Sequence, residues 1–366
     1  MRTFLRVIIG ILTVTTGFLL LLTDIMSYVR PSTTLYTLCP LTIFFSTFVV
    51  MIFFLAVYWF IRKRWIIGSF CIIMLAVSTP NILRTYCSIP EYETVHNPDG
   101  IRFLSYNVHL FSWFENEKGI DNANKMLDYI AATGSDVVCL QEFLYHNSGT
   151  YTLSYIKEKL KSYPYSHIEV LSQNRRVSKC IATFSKYPIV EQKAVKFDVP
   201  YHGAIISAIN IKGTVYNVVN CYLKSNQLTE QEKDLTPDYI GTKPTDKSAQ
   251  GLISRVYNKL VKASLERCNE AETVAREVEK INRNMIVCGD MNDIPASYVY
   301  RTMRGHMKDA MLLTHSFPNT GVTFHEGIYN FRIDYFFISD NIKPCEFSID
   351  KQPMSDHYPI QLTCLQ

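Results

Sequence analysis

Three uncharged apolar runs near the N-terminus constrain this chain more than any other feature: Val7 to Thr23, Pro31 to Ile61 and Trp65 to Leu83 contain no Asp, Glu, Lys or Arg. At about 1.5 Å of helical rise per residue, crossing a hydrocarbon layer of about 30 Å takes about 20 residues. The second run has 31 residues and the third 19, so both are long enough, and the first is borderline. The pattern predicts three transmembrane helices. Arg2 and Arg6 ahead of the first run also fit a signal peptide, but no small-residue cleavage site follows them and two more spans do. A buried hairpin in a soluble core is disfavoured, because no polar face interrupts "LTIFFSTFVVMIFFLAVYWFI".

Arg62, Lys63 and Arg64 lie between the second and third spans, which places that loop in the cytoplasm. Arg2 and Arg6 agree, so the N-terminus is expected inside and everything after about Arg84 outside, in the periplasm or the exterior. Arg30 and Arg84, on the outer side, oppose this with a weaker signal. The expected organisation is a membrane anchor over 1–88, a polar linker with two prolines over 89–100, and a folded part over 101–366.

The net charge of +4 is unevenly distributed. Residues 1–88 hold seven Lys/Arg and one acid, giving +6, and the remainder holds 30 Lys/Arg and 32 Asp/Glu, giving −2. A domain that grips duplex DNA by many phosphates carries a basic face, and Arg175, Arg176 and Lys179 form the one such group. Seven of the ten cysteines fall in the folded part without CxxC spacing, which argues against a disulfide framework or a zinc site.

Beyond the linker, short strands alternate with helices. "IRFLSYNV", "DVVCLQE", "CIATFSKYPI" and "NMIVCGD" read as strands, and "AIISAINIKGTVYNVVNCYL" reads as two strands about a turn at Lys212 and Gly213. Asn122 to Thr133, "TLSYIKEKLKS" and about Ala249 to Ile281 read as helices, the last after a polar loop from Ser225 to Ser248. Strands outnumber helices and include hairpins, so a mixed α/β sandwich fits better than a doubly wound parallel sheet.

These strands repeatedly end in polar residues: Asn107 and His109, Gln141 and Glu142, Asp290, Asn292 and Asp293, Asp334, then Asp356 and His357. Gathered on one edge they would form a pocket crowded with acids. Burying unpaired carboxylates costs several kcal/mol each, and a divalent cation removes that cost. Oxygen ligation by Glu142, Asp290, Asn292 and Asp356 suits Mg²⁺ or Mn²⁺. One such strand end alone is explained equally well as a turn; five in order are not.

In sequence and spacing, "SYNVH", "LQE", "NCYLKSN", "GDMND", "RIDYFFIS" and "SDHYPI" resemble the endonuclease/exonuclease/phosphatase superfamily over roughly Ile101 to Gln366. The resemblance implies an α/β (α+β) fold, a four-layer β-sandwich of the deoxyribonuclease I type flanked by helices, here behind three transmembrane helices. It implies a metal-dependent hydrolase of phosphodiesters or phosphomonoesters, with nucleic acid, a phospholipid head group or a small phosphate ester as substrate and the lipid bilayer as the other partner; no protein partner is implied. By the same resemblance Glu142 and Asp356 bind the metal with help from Asn107. Asp290 and Asn292 orient the attacking water and contact the phosphate, and His357 pairs with Asp334.

His109 follows Asn107 by two and is expected on the same side of its strand. Lys224 and Asn226 either contact a phosphate or only end the strand, and Asn220 precedes them as a substrate-side residue. The remaining histidines, at 96, 146, 167, 202, 306, 315 and 325, lack a neighbouring acidic motif and read as surface or loop residues. The departure from the family is Tyr222, where many members place a His. A phenol donates a hydrogen bond but supplies no positive charge. A second reading, a degenerate binding or sensor module that keeps the fold without turnover, rests on Tyr222 alone.

Overall fold

In a computed structural model of the chain, the described residues are 2–31, 36–86, 90–92, 97, 99–113, 119–226, 246–281, 283–314, 321–326 and 329–365. Most of the predicted linker, the centre of the predicted polar loop, His96 and His315 lie outside them. The chain divides into two compact units. One holds Met1–Thr85, Lys224–Asn269 and Ile294–Arg301; the other holds Tyr86–Leu223, Glu270–Asp293 and Thr302–Gln366.

In the first unit, helix α1 (Arg2–Tyr28) is a straight apolar rod, and α2 (Phe45–Ile61) extends a 3₁₀ turn to give a second one over Thr37–Ile61. Both are long and apolar enough to cross a membrane. The predicted third span is not one straight helix. It breaks into α3 (Trp65–Val77) and α4 (Thr79–Tyr86), bent by 62°. Pro80 removes a backbone donor at the break. Asp24 of α1 accepts hydrogen bonds there from Ser78 Oγ (2.5 Å) and Asn81 Nδ2 (2.7 Å). Two spans are clear, not three.

The second unit is built on strands β1 (Ile101–Asn107), β2 (Val137–His146), β3 (Tyr165–Gln173), β4 (Val177–Ser185), β5 (Ile189–Lys196), β6 (Gly203–Ile211) and β7 (Thr214–Tyr222). It continues with β8 (Met285–Asp290), β9 (Lys308–Asp309), β10 (Phe324–Glu326), β11 (Tyr329–Phe331), β12 (Asp334–Ile338), β13 (Pro344–Ile349) and β14 (Ile360–Cys364). They form two six-stranded sheets, ordered β13-β14-β1-β2-β4-β3 and β5-β6-β7-β8-β12-β9, and a small β10-β11 hairpin.

The sheets pack face to face. Phe103, Val137 and Cys139 of the first share a core with Val218, Ile286, Cys288 and Phe336 of the second. The other face of the first sheet, with Leu104, Tyr106, Val138 and Leu140, buries Met126, Leu127 and Ile130 of helix α5 (Gly119–Ala132) and Ile156 of helix α6 (Leu153–Lys159). Both faces of β1 and β2 are therefore covered, which is why their sequences are almost continuously apolar. The hairpin turn falls at Lys212 and Gly213, both with positive φ, as the sequence predicts. Gly289 is required: its φ is +124°, and a Cβ there would stand 2.0 Å from the Cys221 carbonyl oxygen. All nine described cysteines are buried.

Candidate active site at the polar end of the inter-sheet core

Side chains two residues apart on a strand share a face, so the inter-sheet core can be followed to its end. Along β7 the inward positions are Val218, Asn220 and Tyr222; along β8 they are Ile286, Cys288 and Asp290. The register sets Tyr222 opposite Asp290, Asp290 opposite Asp334, and Asn107 opposite Gln141. The core thus runs from aliphatic side chains into a polar end, where the predicted residues collect.

Glu142 reaches that end through a defect. Strict alternation would turn Glu142 with Leu140 toward α5, away from Gln141. The pairing of β2 with β4 shifts between Leu140 and Phe143, and Glu142 takes φ +50°. This bulge re-aims the carboxylate. Glu142 Oε1 accepts from Tyr222 Oη (2.8 Å) and Asn107 Nδ2 (3.2 Å). Asn107 Nδ2 also donates to Asp290 Oδ2 (2.9 Å), while its oxygen accepts from the His109 N–H (3.0 Å). In this orientation Asn107 bridges two carboxylates through its nitrogen.

On the other side His357 Nδ1 lies 2.9 Å from Asp334 Oδ2 and Nε2 lies 3.7 Å from Asp290 Oδ2. Burial pulls the imidazole toward its neutral form, but the charges of Asp334, Asp290 and Asp356 outweigh it and hold its pKa well above the usual histidine range. For Asp290, burial is the larger influence and raises the carboxyl to about 7, against the charge of His357. Burial also works to raise Asp356, yet the hydrogen bond from His109 and the charges of His357 and His109 hold it below the ordinary carboxylate range.

His109 arrives by a different route from the one its spacing predicts. The strand stops at Asn107, and His109 to Ser112 form a left-handed turn with φ between 45° and 60°. Such a conformation costs roughly 1–2 kcal/mol per non-glycine residue. It is held by Phe111, buried among Phe143 and Tyr151, and by Ser112 Oγ on the Met354 carbonyl. The turn brings His109 Nδ1 to 3.2 Å from Asp356 Oδ1.

Asn292, with φ +51°, closes a turn on Asp290: its N–H donates to Asp290 Oδ1 (2.8 Å), and its Nδ2 donates to Asp290 Oδ2 and the Leu223 carbonyl. Asn220, and the pair Lys224 and Asn226, have partners within the fold. Asn220 is fully buried, donates to the Leu140 and Ala182 carbonyls and accepts from Gln141 Nε2; all its polar atoms tie strands together and none faces a substrate. Asn226 accepts from the Arg267 guanidinium, and Lys224 pairs with Glu266 at 3.5 Å, which explains both as strand-end contacts with a helix.

The sequence reading placed two buried histidines on the surface and passed over Phe324, Thr323 and Ser355. His202 and His167 are buried rather than on the surface; His202 packs on the Tyr222 ring (centroids 5.1 Å apart) and His167 Nδ1 meets Ser207 Oγ. Phe324 packs edge-on against His357, and Thr323 Oγ1 accepts from the Asp334 N–H. Ser355 Oγ donates to the Asn107 carbonyl and links the segment before Asp356 to the end of β1. These contacts join residues far apart in the sequence, which only the fold brings together.

Tyr222 is buried, and burial together with the charges of Glu142 and Asp290 pushes its phenol well above its ordinary pKa. It stays protonated and donates to Glu142. Tyr222→Phe is expected to leave the ring packing intact, raise the metal concentration needed for half-maximal activity, and lower turnover by about tenfold. A variant with wild-type turnover and metal requirement would make the ring purely structural.

The donor set fits a hard divalent cation. Glu142, Asp290 and Asp356 bring three carboxylates to one end of the core, with Asp334 already neutralised by His357. Asp290, Asp334 and His357 can each place one ligand atom within 4.8 Å of the others.

A search among curated protein sequences gives no match. Solved structures share the fold at low identity. An endonuclease/exonuclease/phosphatase family protein from Leptotrichia buccalis is 14% identical with a TM-score of 0.50, covering 73% of this chain and 100% of its own. One from Beutenbergia cavernae is 15% identical with a TM-score of 0.52, covering 72% and 71%. D. rerio TDP2 complexed with single strand DNA product is 17% identical with a TM-score of 0.50, covering 73% and 100%. The profile of the Endonuclease/Exonuclease/phosphatase family matches residues 104–357, from the middle of β1 to His357. The match spans well over half of the chain, which belongs to the endonuclease/exonuclease/phosphatase family of phosphoester hydrolases.

Proposed function

We propose that the chain is a membrane-anchored phosphoesterase that hydrolyses a phosphodiester or phosphomonoester by attack of water, with Mg²⁺ or Mn²⁺ as cofactor. The observation that carries this reading is the convergence of Glu142, Asp290 and Asp356 beside a His357–Asp334 pair at the buried end of the sandwich. A divalent cation bound by Glu142 and Asp356 would neutralise charge on the phosphoryl oxygens.

The protein's own groups supply the rest. Asp290, with a pKa near 7, accepts a proton from water at neutral pH, and Asn292 fixes the orientation of its carboxylate. His357, held as a cation by Asp334, directs Nε2–H into the cluster and stabilises negative charge there. Tyr222 and Asn107 hold Glu142 in place. Tyr222 therefore has an account within an active enzyme, and the degenerate-module reading loses its support.

Residues 1–88 serve as the anchor, 89–100 as the linker and 101–366 as the catalytic part; with the bent α3–α4 pair counted as one further crossing beside the two clear spans, the N-terminus is cytoplasmic and the catalytic part extracytoplasmic. A fluorescent protein fused after Gln366 is expected to stay dark and an alkaline phosphatase fused there to be active; the opposite pair of results would reverse the topology. The activity test uses the full-length chain in detergent with bis(p-nitrophenyl) phosphate and Mg²⁺ or Mn²⁺. Hydrolysis dependent on the metal supports the reading, and hydrolysis without it contradicts the reading.

A further inference from the structure

Arg84, one of the two arginines on the predicted outer side that oppose the orientation set by Arg62, Lys63 and Arg64, has a structural role. In the first compact unit Tyr28 ends the first span, and two guanidiniums converge on its ring: Arg301 at 3.6 Å and Arg84 at 5.9 Å from the centroid. Arg84 also donates to Asn81 Oδ1 (3.1 Å). Arg301 belongs to the segment Ile294–Arg301, which follows two residues after Asn292 in the chain.

Helix α7 (Asp246–Val278) touches the second span. Its Tyr257 hydroxyl donates to the Thr37 carbonyl, where that span begins. The first half of the helix is amphipathic. Ile253, Val256, Tyr257 and Val261 share one side at helical spacing, while Arg255, Lys259 and Lys262 fall on the other and are exposed. Val256 and Val261 are buried, but Ile253 is 58% and Tyr257 41% exposed. Glu266 answers Lys262 at 3.8 Å and is shared with Lys224.

Tyr28, Thr37 and Arg84 all stand at the outer end in the predicted topology. Tyrosine rings at that depth belong to the membrane–water boundary. An amphipathic helix with exposed apolar groups and long cationic side chains lies in that boundary, its cations reaching for lipid phosphates.

We propose that the outer ends of the spans and the first half of α7 form a seat for anionic phospholipid headgroups, and that the phosphoester hydrolysed is one presented at this membrane surface. The occupant follows from charge: five cations belong to this part, two at the Tyr28 ring and three exposed on the polar side of α7, whereas the catalytic part as a whole carries −2 and offers duplex nucleic acid little attraction. The second clause rests on the phosphoesterase reading above.

The test compares one leaving group in two settings: bis(p-nitrophenyl) phosphate in solution and phosphatidyl-p-nitrophenol in the bilayer. In both, water adds to phosphorus, the bond to the p-nitrophenyl oxygen breaks, p-nitrophenolate leaves and the water's proton passes to solvent. The full-length chain is reconstituted in phosphatidylcholine vesicles with or without phosphatidylglycerol, and native mass spectrometry of the purified protein counts retained phosphatidylglycerol. Phosphatidylglycerol should raise turnover of the lipid substrate. The Arg255→Gln/Lys259→Gln/Lys262→Gln variant should lose retained lipid and fall at least about tenfold on the lipid substrate, with the soluble substrate within about twofold. Arg301→Gln should act in the same direction. Lipid retention and lipid turnover unchanged in the triple variant, or turnover indifferent to phosphatidylglycerol, would overturn the proposal. Failure on both substrates with lipid retention intact would instead overturn the phosphoesterase reading and leave the headgroup seat standing.

Discussion

Asp290→Asn is expected to lower kcat for phosphoester hydrolysis by about 10²–10⁴-fold, the range supplied by a positioned general base, while preserving the fold. The amide keeps the shape and one acceptor oxygen, enough for the Asn292 N–H, but it puts an NH₂ where the Asn107 and Asn292 amides donate and it has little basicity. The same substitution has a stability signature of opposite sign. Burial raises the folded-state pKa of Asp290 from 3.8 to about 7, so the folded protein binds a proton that the unfolded chain has already released. The group's contribution to stability is full below pH 3.8 and is lost as pH rises through about 7. The metal-free Asn variant should therefore gain in Tm relative to wild type at about pH 8 and gain less at about pH 5. Thermal unfolding in chelator at the two pH values measures this; a variant less stable than wild type at the higher pH would show that the Asp290 charge is not a burden on the fold.

Asp309→Ala is expected to cost about 3–5 kcal/mol, the usual consequence of removing one partner from a buried ion pair. Arg332 pairs with Asp309 at only 3% and 1% side-chain exposure, and its guanidinium lies 4.9 Å from the Tyr335 ring centroid. Arg332 stands two residues before Asp334, and its carbonyl accepts from Tyr335 Oη at 2.7 Å. Losing the carboxylate thus loosens the entry to β12 and the aim of Asp334 on His357. Urea unfolding reads the loss, and Arg332→Met added to Asp309→Ala should recover part of it. A midpoint unchanged by Asp309→Ala would mean that the pair contributes nothing to the fold.

What could be read from the sequence follows from where each residue sits. The central strands β1, β2, β4, β7 and β8 were legible because both their faces are covered and their sequences are nearly pure apolar runs. The strands the pattern did not reveal, β3, β5 and β13, are all sheet edges; β5 reads "IVEQKAVK" and has four consecutive exposed residues. An edge faces water on one side, so its hydrophobic signal is half missing.

The site divides in the same way. Asp290, Asp334, Asp356, His357 and Glu142 were legible as polar endings of apolar strands. The bulge that turns Glu142 inward and the left-handed turn that delivers His109 were not, because neither contains a glycine to announce positive φ. Asn220 misled for the opposite reason: an amide at a strand end looks like a ligand, yet here it satisfies carbonyls of two neighbouring strands in the core. Tyr222 was legible as a departure from the family. Its task, donating to Glu142, needed the register that sets β7 beside β8 and faces it to β2.

The third span shows a limit of counting apolar residues. Trp65 to Leu83 is long enough, but the bend at Ser78 depends on Asp24, more than fifty residues earlier in the chain, reaching Ser78 and Asn81. Length and hydropathy say nothing of such a contact.

The central claim is that Glu142, Asp290 and Asp356 serve a divalent cation in phosphoester hydrolysis. It is tested most directly by stripping the full-length protein with chelator and titrating Mg²⁺ or Mn²⁺ back while following bis(p-nitrophenyl) phosphate. Activity should vanish in chelator and return saturably with metal, Glu142→Ala should require far more metal or stay inactive, and Asp290→Ala should stay inactive at any metal concentration. Hydrolysis that persists in chelator, or that is unchanged in Glu142→Ala and Asp290→Ala, would contradict the account.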